Sequence, residues 1–192
     1  MTRSLRLSAC LVAALATLPA LAADAPDKGV IKPVKLVIEY VRQGKDDKAV
    51  QQFANEEQGK LLLGAEWSKG TPAQRKEFTQ LFNTLFKQMA FPKIRENFKH
   101  LDAVNYGATE VTGGAATADS LIVIDHPVKK QELKLKFALT KEGAAWKVVD
   151  VRVLGDSMLT GIREDQIKPI MANGGWNNLL TLMRAKAKEV SK

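Results

Sequence analysis

Between Val30 and Val41 the apolar residues Val30, Val34, Val37, Ile38 and Val41 recur at spacings of 4, 3, 1 and 3. A helix turns such a stripe toward a core once every ~3.6 residues. Pro33 lies in its first turn, where a missing amide donor is tolerated, and Gln43-Gly44-Lys45 ends the pattern. A second helix is predicted from Asp46 through Gly59, with Val50, Phe53 and Ala54 turned inward. Thr71-Pro72-Ala73-Gln74 is a helix-start signal: threonine at the cap, proline at the first helical position and glutamine at the third satisfy otherwise orphaned backbone amides. Phe78, Leu81, Phe82, Leu85, Phe86 and Met89 then step 3, 1, 3, 1 and 3 along one broad apolar face. Pro92 is expected to interrupt this helix, because it removes a donor and crowds the preceding turn, with Ile94 to Lys99 continuing beyond it.

The period then changes from helical to two. Strands are predicted over 104–112, 116–125, 132–140 and 145–154, separated by Gly113-Gly114, His126-Pro127 and Lys141-Glu142-Gly143. In the third, Leu133, Leu135, Phe137 and Leu139 alternate with wetter positions, so one face is buried. In the fourth, strict alternation puts Val149, Val151 and Val153 on one face, with Trp146, Val148 and Leu154 on the other beside Asp150 and Arg152. Connections this short favour an antiparallel meander. Two further helices, 160–172 and 176–188, are broken by Asn173-Gly174-Gly175. Helices, then consecutive strands, then helices predict an α+β fold, with helices packed on one curved sheet and room for an apolar cavity between the layers.

The first residues belong to no such element. Arg3 and Arg6 precede an apolar run from Leu7 to Leu18 and a small-x-small site at Ala20-Leu21-Ala22, the layout of a secretory signal peptide. Residues 1–22 are therefore expected to be removed and residues 23–192 to form a single domain. Leu7-Ser8-Ala9-Cys10 also matches a lipoprotein signal, but the apolar run continues past Cys10, which favours cleavage at Ala22. Cleavage there removes the chain's one cysteine, and with it disulfide, thiol and cysteine–metal chemistry.

Formal charge is +8, or +6 without Arg3 and Arg6, which suits anionic headgroups or an acidic partner; export makes nucleic acid an unsuitable one. His100 and His126 have no companion at metal-ligand spacing, so no metal is expected. No G-x-S-x-G, Walker or dinucleotide glycine pattern occurs. An acid in an apolar cone could still serve as a catalytic base on a small hydrophobic substrate, with Asp119, Asp125 and Asp150 as candidates. For Asp150 a local ion pair with Arg152 is the simpler account. An exported adaptor that docks through its basic face without carrying a ligand is a third reading.

Trp67-x-x-Gly70-Thr71-Pro72-x-Gln74-Arg75-x-x-Phe78, the long amphipathic helix, Trp146-Lys147-Val148-Val149-Asp150-Val151, Gly155-x-Ser157 and Arg163 together resemble the MlaC/toluene-tolerance family of periplasmic phospholipid-binding proteins. The resemblance runs from about residue 30 to about residue 188. It implies an NTF2-like fold without catalytic residues or cofactor, whose cargo is phospholipid. It also implies a monomeric periplasmic carrier between an outer-membrane lipoprotein complex and an inner-membrane ABC transporter with an MCE-domain partner, serving outer-membrane lipid asymmetry. Phe78, Phe82, Leu85, Phe86, Met89, Leu135, Phe137, Val149, Val151 and Val153 are the candidate tail contacts, although any one of them could be ordinary core. Arg163 is either a headgroup contact or the partner of Glu164 or Asp165. Ile162 and Ile167 stand where the family commonly has aromatics, and the usual tyrosine of the long helix is replaced near Phe91-Pro92.

If the leader is cleaved as read, the intact mass of protein recovered from export-competent cells corresponds to a chain starting at Ala23. A mass that retains residues 1–22, or one with a lipid on Cys10, would contradict it.

Overall fold

The computed structural model describes residues 27–191; the predicted leader and its cleavage site lie outside them. Helix α1 (Lys28–Arg42) starts where the Asp27 carboxylate accepts the amides of Gly29 and Val30, at 2.7 and 3.2 Å. Its predicted stripe is the buried one, including Val30, Val34, Ile38 and Val41.

The segment predicted as one helix from Asp46 is two, α2 (Asp46–Val50) and α3 (Asn55–Leu63). The sheet causes the break: Phe53 makes a parallel bridge to Val148, with Ala54 N–H donating to Val148 O at 2.8 Å and Val148 N–H donating to Gln52 O at 2.9 Å. Those backbone groups satisfy a strand edge instead of a helical turn. A short α4 (Glu66–Lys69) follows, then α5 (Pro72–Leu85), which opens with the expected capping box. Beyond α5 the chain stays helical through a π-helical turn, Phe86–Ala90, into α6 (Phe91–Phe98). Pro92 does not break the helix, because the wide turn restarts it and leaves the proline in a first turn, where no amide donor is required.

Five strands follow, β1 (Leu101–Thr112), β2 (Ala115–His126), β3 (Lys129–Glu142), β4 (Ala145–Val153) and the two-residue β5 (Asp156–Ser157). They pair antiparallel in chain order, the predicted meander with one short strand added. The chain then enters α7 (Met158–Ile162), a second π-helical turn (Arg163–Ile167), α8 (Lys168–Ala172) and α9 (Gly175–Val190). This last helical stretch begins before the predicted Thr160, because Ser157 caps it by accepting Thr160 N–H at 3.0 Å. No helix among the described residues is long and apolar enough to cross a membrane.

Strict alternation fails in β4. Ala138 faces Asp150 and Leu139 faces Val148, so Val149 is an extra residue, a β-bulge. The bulge changes the parity of the strand. Val148 and Trp146 therefore join the core that Val151 also packs against, instead of lying on the opposite face.

Two apolar cores result. The first lies between the sheet, α1 and α6, around Val34, Ile38, Phe91, Ile122, Phe137 and Val148. The second is helical and gathers Leu62, Trp67, Phe78, Ile167, Trp176 and Leu179. In the second, Phe78 meets Trp67 and Trp176 edge-on at 6.2 and 6.1 Å between ring centroids. Arg75 donates to Gly70 O at 3.0 Å and lies over the Trp67 ring at 5.9 Å. A β-carbon on Gly70 would come within 2.5 Å of the Trp176 ring, closer than carbon atoms pack.

Truncating Phe78 to alanine should lower unfolding free energy by about 3–5 kcal/mol, the usual cost of emptying a buried aromatic site. Gly70→Ala should cost about 1–3 kcal/mol through overpacking against Trp176. Urea denaturation measures both, and a Gly70→Ala protein as stable as its parent would contradict the close-packing account.

Candidate functional site

An apolar cavity of about 240 Å³ lies under the sheet. Its floor is built by Ile122 and Ile124 of β2, Leu133, Leu135 and Phe137 of β3, and Val149, Val151 and Val153 of β4. Its walls are Val37, Ile38 and Val41 from α1, Phe53, Phe86 and Phe91, and then Ile94 and Phe98 from α6 facing Leu159 and Ile162 from α7. Most of these side chains are buried or half-buried. The two lining residues that stand exposed are Asn97 on α6 and Met158 at the start of α7. The mouth therefore opens between those two helices, over the C-terminal end of β4.

Among the described residues, three polar ones line the cavity: Gln58, Asn97 and Asp150. Two of them are engaged by the fold. Gln58 Nε2 donates to Val149 O at 3.1 Å, which satisfies the carbonyl of the bulged residue. Asp150 Oδ1 accepts Leu159 N–H at 3.1 Å and so fixes the first turn of α7 against β4. Asp150 forms no ion pair with Arg152, contrary to the expectation from their spacing; the carboxylate is buried and held by the α7 backbone, while Arg152 is exposed. Neither Gln58 nor the segment from Gln52 to Ala54 carries a sequence signal for this role, since each acts only through the edge of a distant strand.

Among the predicted contact residues, Phe86, Leu135, Phe137, Val149, Val151 and Val153 line the cavity. Phe78, Phe82, Leu85 and Met89 do not. Phe78 is a centre of the helical core, Phe82 and Leu85 pack against that core, and Met89 is 39% exposed on the π-helical turn. That turn adds a residue to the helical repeat and carries Met89 off the face drawn from Phe78, while Phe78, Phe82 and Leu85 precede it on regular α5, over the helical core. Phe86 joins the parts: it stacks on Phe82 at 5.7 Å and meets Phe91 edge-on at 5.1 Å. Residues that sequence reasoning passed over, Ile94 and Phe98 of α6 and Met158 and Ile162 of α7, complete the walls. Their apolar spacing beside Pro92 and Ser157 was the available signal.

Arg163 does not line the cavity, although its neighbour Ile162 does. Its Nε lies 3.2 Å from Glu164 Oε1, and its guanidinium is beside Gly64. A hydrogen bond from Lys168, with a smaller contribution from Arg163, holds the Glu164 carboxyl below the usual carboxylate range. Of the other two acids considered for catalysis, Asp119 pairs with Lys136 at 3.3 Å and Asp125 is exposed at the end of β2. Among the described residues no group of three or more His, Cys, Asp or Glu is placed to hold a metal.

The phospholipid-binding protein from Ralstonia solanacearum, solved in complex with a phospholipid, has the same fold at a TM-score of 0.69. The likeness covers 88% of this chain and 100% of that one at 18% identity. A variant of an NTF2 protein aligns at a TM-score of only 0.38, with 12% identity over 64% of this chain and 93% of that one. Among curated proteins, none matches the chain. The MlaC protein family model matches residues 34–185, a span that holds the helical core, the sheet-side core apart from Val30 and Ile31, and the cavity-lining residues, and the chain belongs to the MlaC family.

Proposed function

We propose that this chain is an exported, periplasmic carrier that shelters phospholipid acyl chains in the cavity under the sheet. In this reading it moves the lipid between an outer-membrane lipoprotein complex and an inner-membrane transporter with an MCE-domain partner. The observation that carries the reading is the composition of the cavity. Its walls are aliphatic and aromatic, and Gln58 and Asp150 already bond the protein's own backbone. Such a surface offers burial without directed polar recognition, which is what a hydrocarbon chain requires. Burying one CH₂ is worth about 0.8 kcal/mol, so a sixteen-carbon chain gains about 12 kcal/mol on leaving water. A lipid crossing an aqueous compartment therefore needs a protein that encloses its tails, and no covalent step. The family membership and the phospholipid held by the Ralstonia solanacearum protein support the same cargo.

The reading has a direct test. Mass spectrometry of gently purified protein should find phospholipid, and its removal should lower the melting temperature, because a ligand bound by the folded state alone stabilises that state. Val151→Trp, which places a large ring against the cavity floor, should cut bound lipid by about tenfold, an effect of about 1.4 kcal/mol, while leaving the helical core intact. Protein that carries no phospholipid, takes none from vesicles and yet binds a membrane complex would be the ligand-free adaptor instead.

A further inference from the structure

Beside the cavity mouth the chain makes a turn that local energetics do not favour. Val153 faces Asp156 and Arg152 faces Ser157, so Leu154 and Gly155 form the two-residue tip of the β4–β5 hairpin. Both tip residues have positive φ, 54° and 100°. Turns of this kind favour asparagine or aspartate before glycine, because a bulky side chain crowds its own backbone in the left-handed region. Leu154 is the one residue other than glycine with positive φ among the described residues. Nor does burial compensate it, since Leu154 is 77% exposed. Backbone strain of this kind, held in place by the surrounding structure, is a mark of functional positions.

The neighbours of this leucine share one chemistry. Met158, four residues on, is 51% exposed and lines the cavity, as does Val153 immediately before the tip. Leu154 N–H lies 3.4 Å from Lys134 O, which puts the tip beside Lys134. Lys134 and Arg152 are exposed and have no ion-pair partner among the described residues, while Asp156 is the anion of the turn. An aliphatic tip flanked by long cationic side chains matches the boundary of an anionic bilayer, where the apolar group enters the acyl region and the cations stay with the phosphates.

We propose that the Leu154–Met158 hairpin is a membrane-docking tip, which inserts Leu154 and Met158 into an anionic lipid surface and sets the cavity mouth against the bilayer. This inference rests on the lipid-carrier reading for its purpose, but the contact itself is measured separately. The partner is the lipid surface; a protein docked through the same tip is the competing outcome.

Flotation of the full-length mature protein with vesicles tests it, using equal parts phosphatidylcholine and phosphatidylglycerol against phosphatidylcholine alone. The parent should float with the anionic vesicles and less with the neutral ones. Leu154→Asn, a residue better suited to positive φ, should reduce the vesicle-bound fraction by about tenfold while the melting temperature stays level or rises. A loss caused by misfolding would move both readouts downward together. Lys134→Gln with Arg152→Gln should erase the preference for anionic vesicles. Val111→Asn serves as the control, since Val111 is 50% exposed at the opposite end of the sheet, and it should float as the parent does. The proposal is overturned if Leu154→Asn floats like the parent, if Val111→Asn loses as much, or if the parent floats with neither vesicle while still carrying phospholipid. A parent that floats but carries no phospholipid would remove the carrier reading and leave the docking tip.

Discussion

Because β4 holds one more residue than β3 between Val148 and Asp150, its edge must find partners that a regular ladder would not require. Each partner comes from a different helix or connection. The segment from Gln52 to Ala54 takes the amide and carbonyl of Val148, Gln58 of α3 takes the carbonyl of Val149, and α7 takes the carboxylate of Asp150. Those three links attach the helical layer to the sheet along its open side. They also bring Val148 into the core and leave Val149, Val151 and Val153 against the cavity. A straight β4 would still place those three valines on one face, but it would turn Val148 and Trp146 away from the core.

The two cores divide the work. The helical core is closely packed, and it consumes the text by which the chain is most readily recognised: Trp67, Gly70, the Thr71–Gln74 capping box, Arg75 and Phe78 interlock there, away from the cavity. The sheet-side core is hollow and opens between α6 and α7. Both of those helices adjoin a π-helical turn, Phe86–Ala90 before α6 and Arg163–Ile167 after α7, and in each case a proline follows shortly, Pro92 and Pro169. Such turns rotate the helix face beyond them. The first lies between Phe78, Phe82 and Leu85, which close the helical core, and Phe91, Ile94 and Phe98, which line the cavity, while Phe86 touches both groups and Leu159 and Ile162 of α7 line the cavity and pack against the helical core as well.

In the proposed carrier, each acid weighed as a catalytic base has another place in the structure. Asp119 is paired with Lys136, Asp125 is exposed at a strand end, and Asp150 holds a helix. What faces the interior is mainly hydrocarbon, whose attraction for a lipid tail is non-directional and scales with buried area. A site of this kind tolerates variation in the tail it holds. The Arg163 guanidinium, placed beside Gly64 and Glu164, serves the α7 and α3 region rather than the cavity lining.

Local patterns were enough to predict most elements, because helix stripes, strand alternation and caps depend on residues close in sequence. The α1 stripe, the Thr71 capping box, the meander and the order of helices and strands all follow from them. The apolar character of β3 and β4 already marked Leu135, Phe137 and Val151 as wall material. Features that depend on distant partners were decided by the tertiary structure. The break between α2 and α3 exists because a strand edge competes for the backbone there, and the parity of β4 depends on its register with β3. Phe78 and Phe86 lie on one predicted helical face, yet one fills a core and the other lines a space. Whether an apolar face is filled or left open depends on how far apart the packed layers stand, a distance that no stretch of sequence contains.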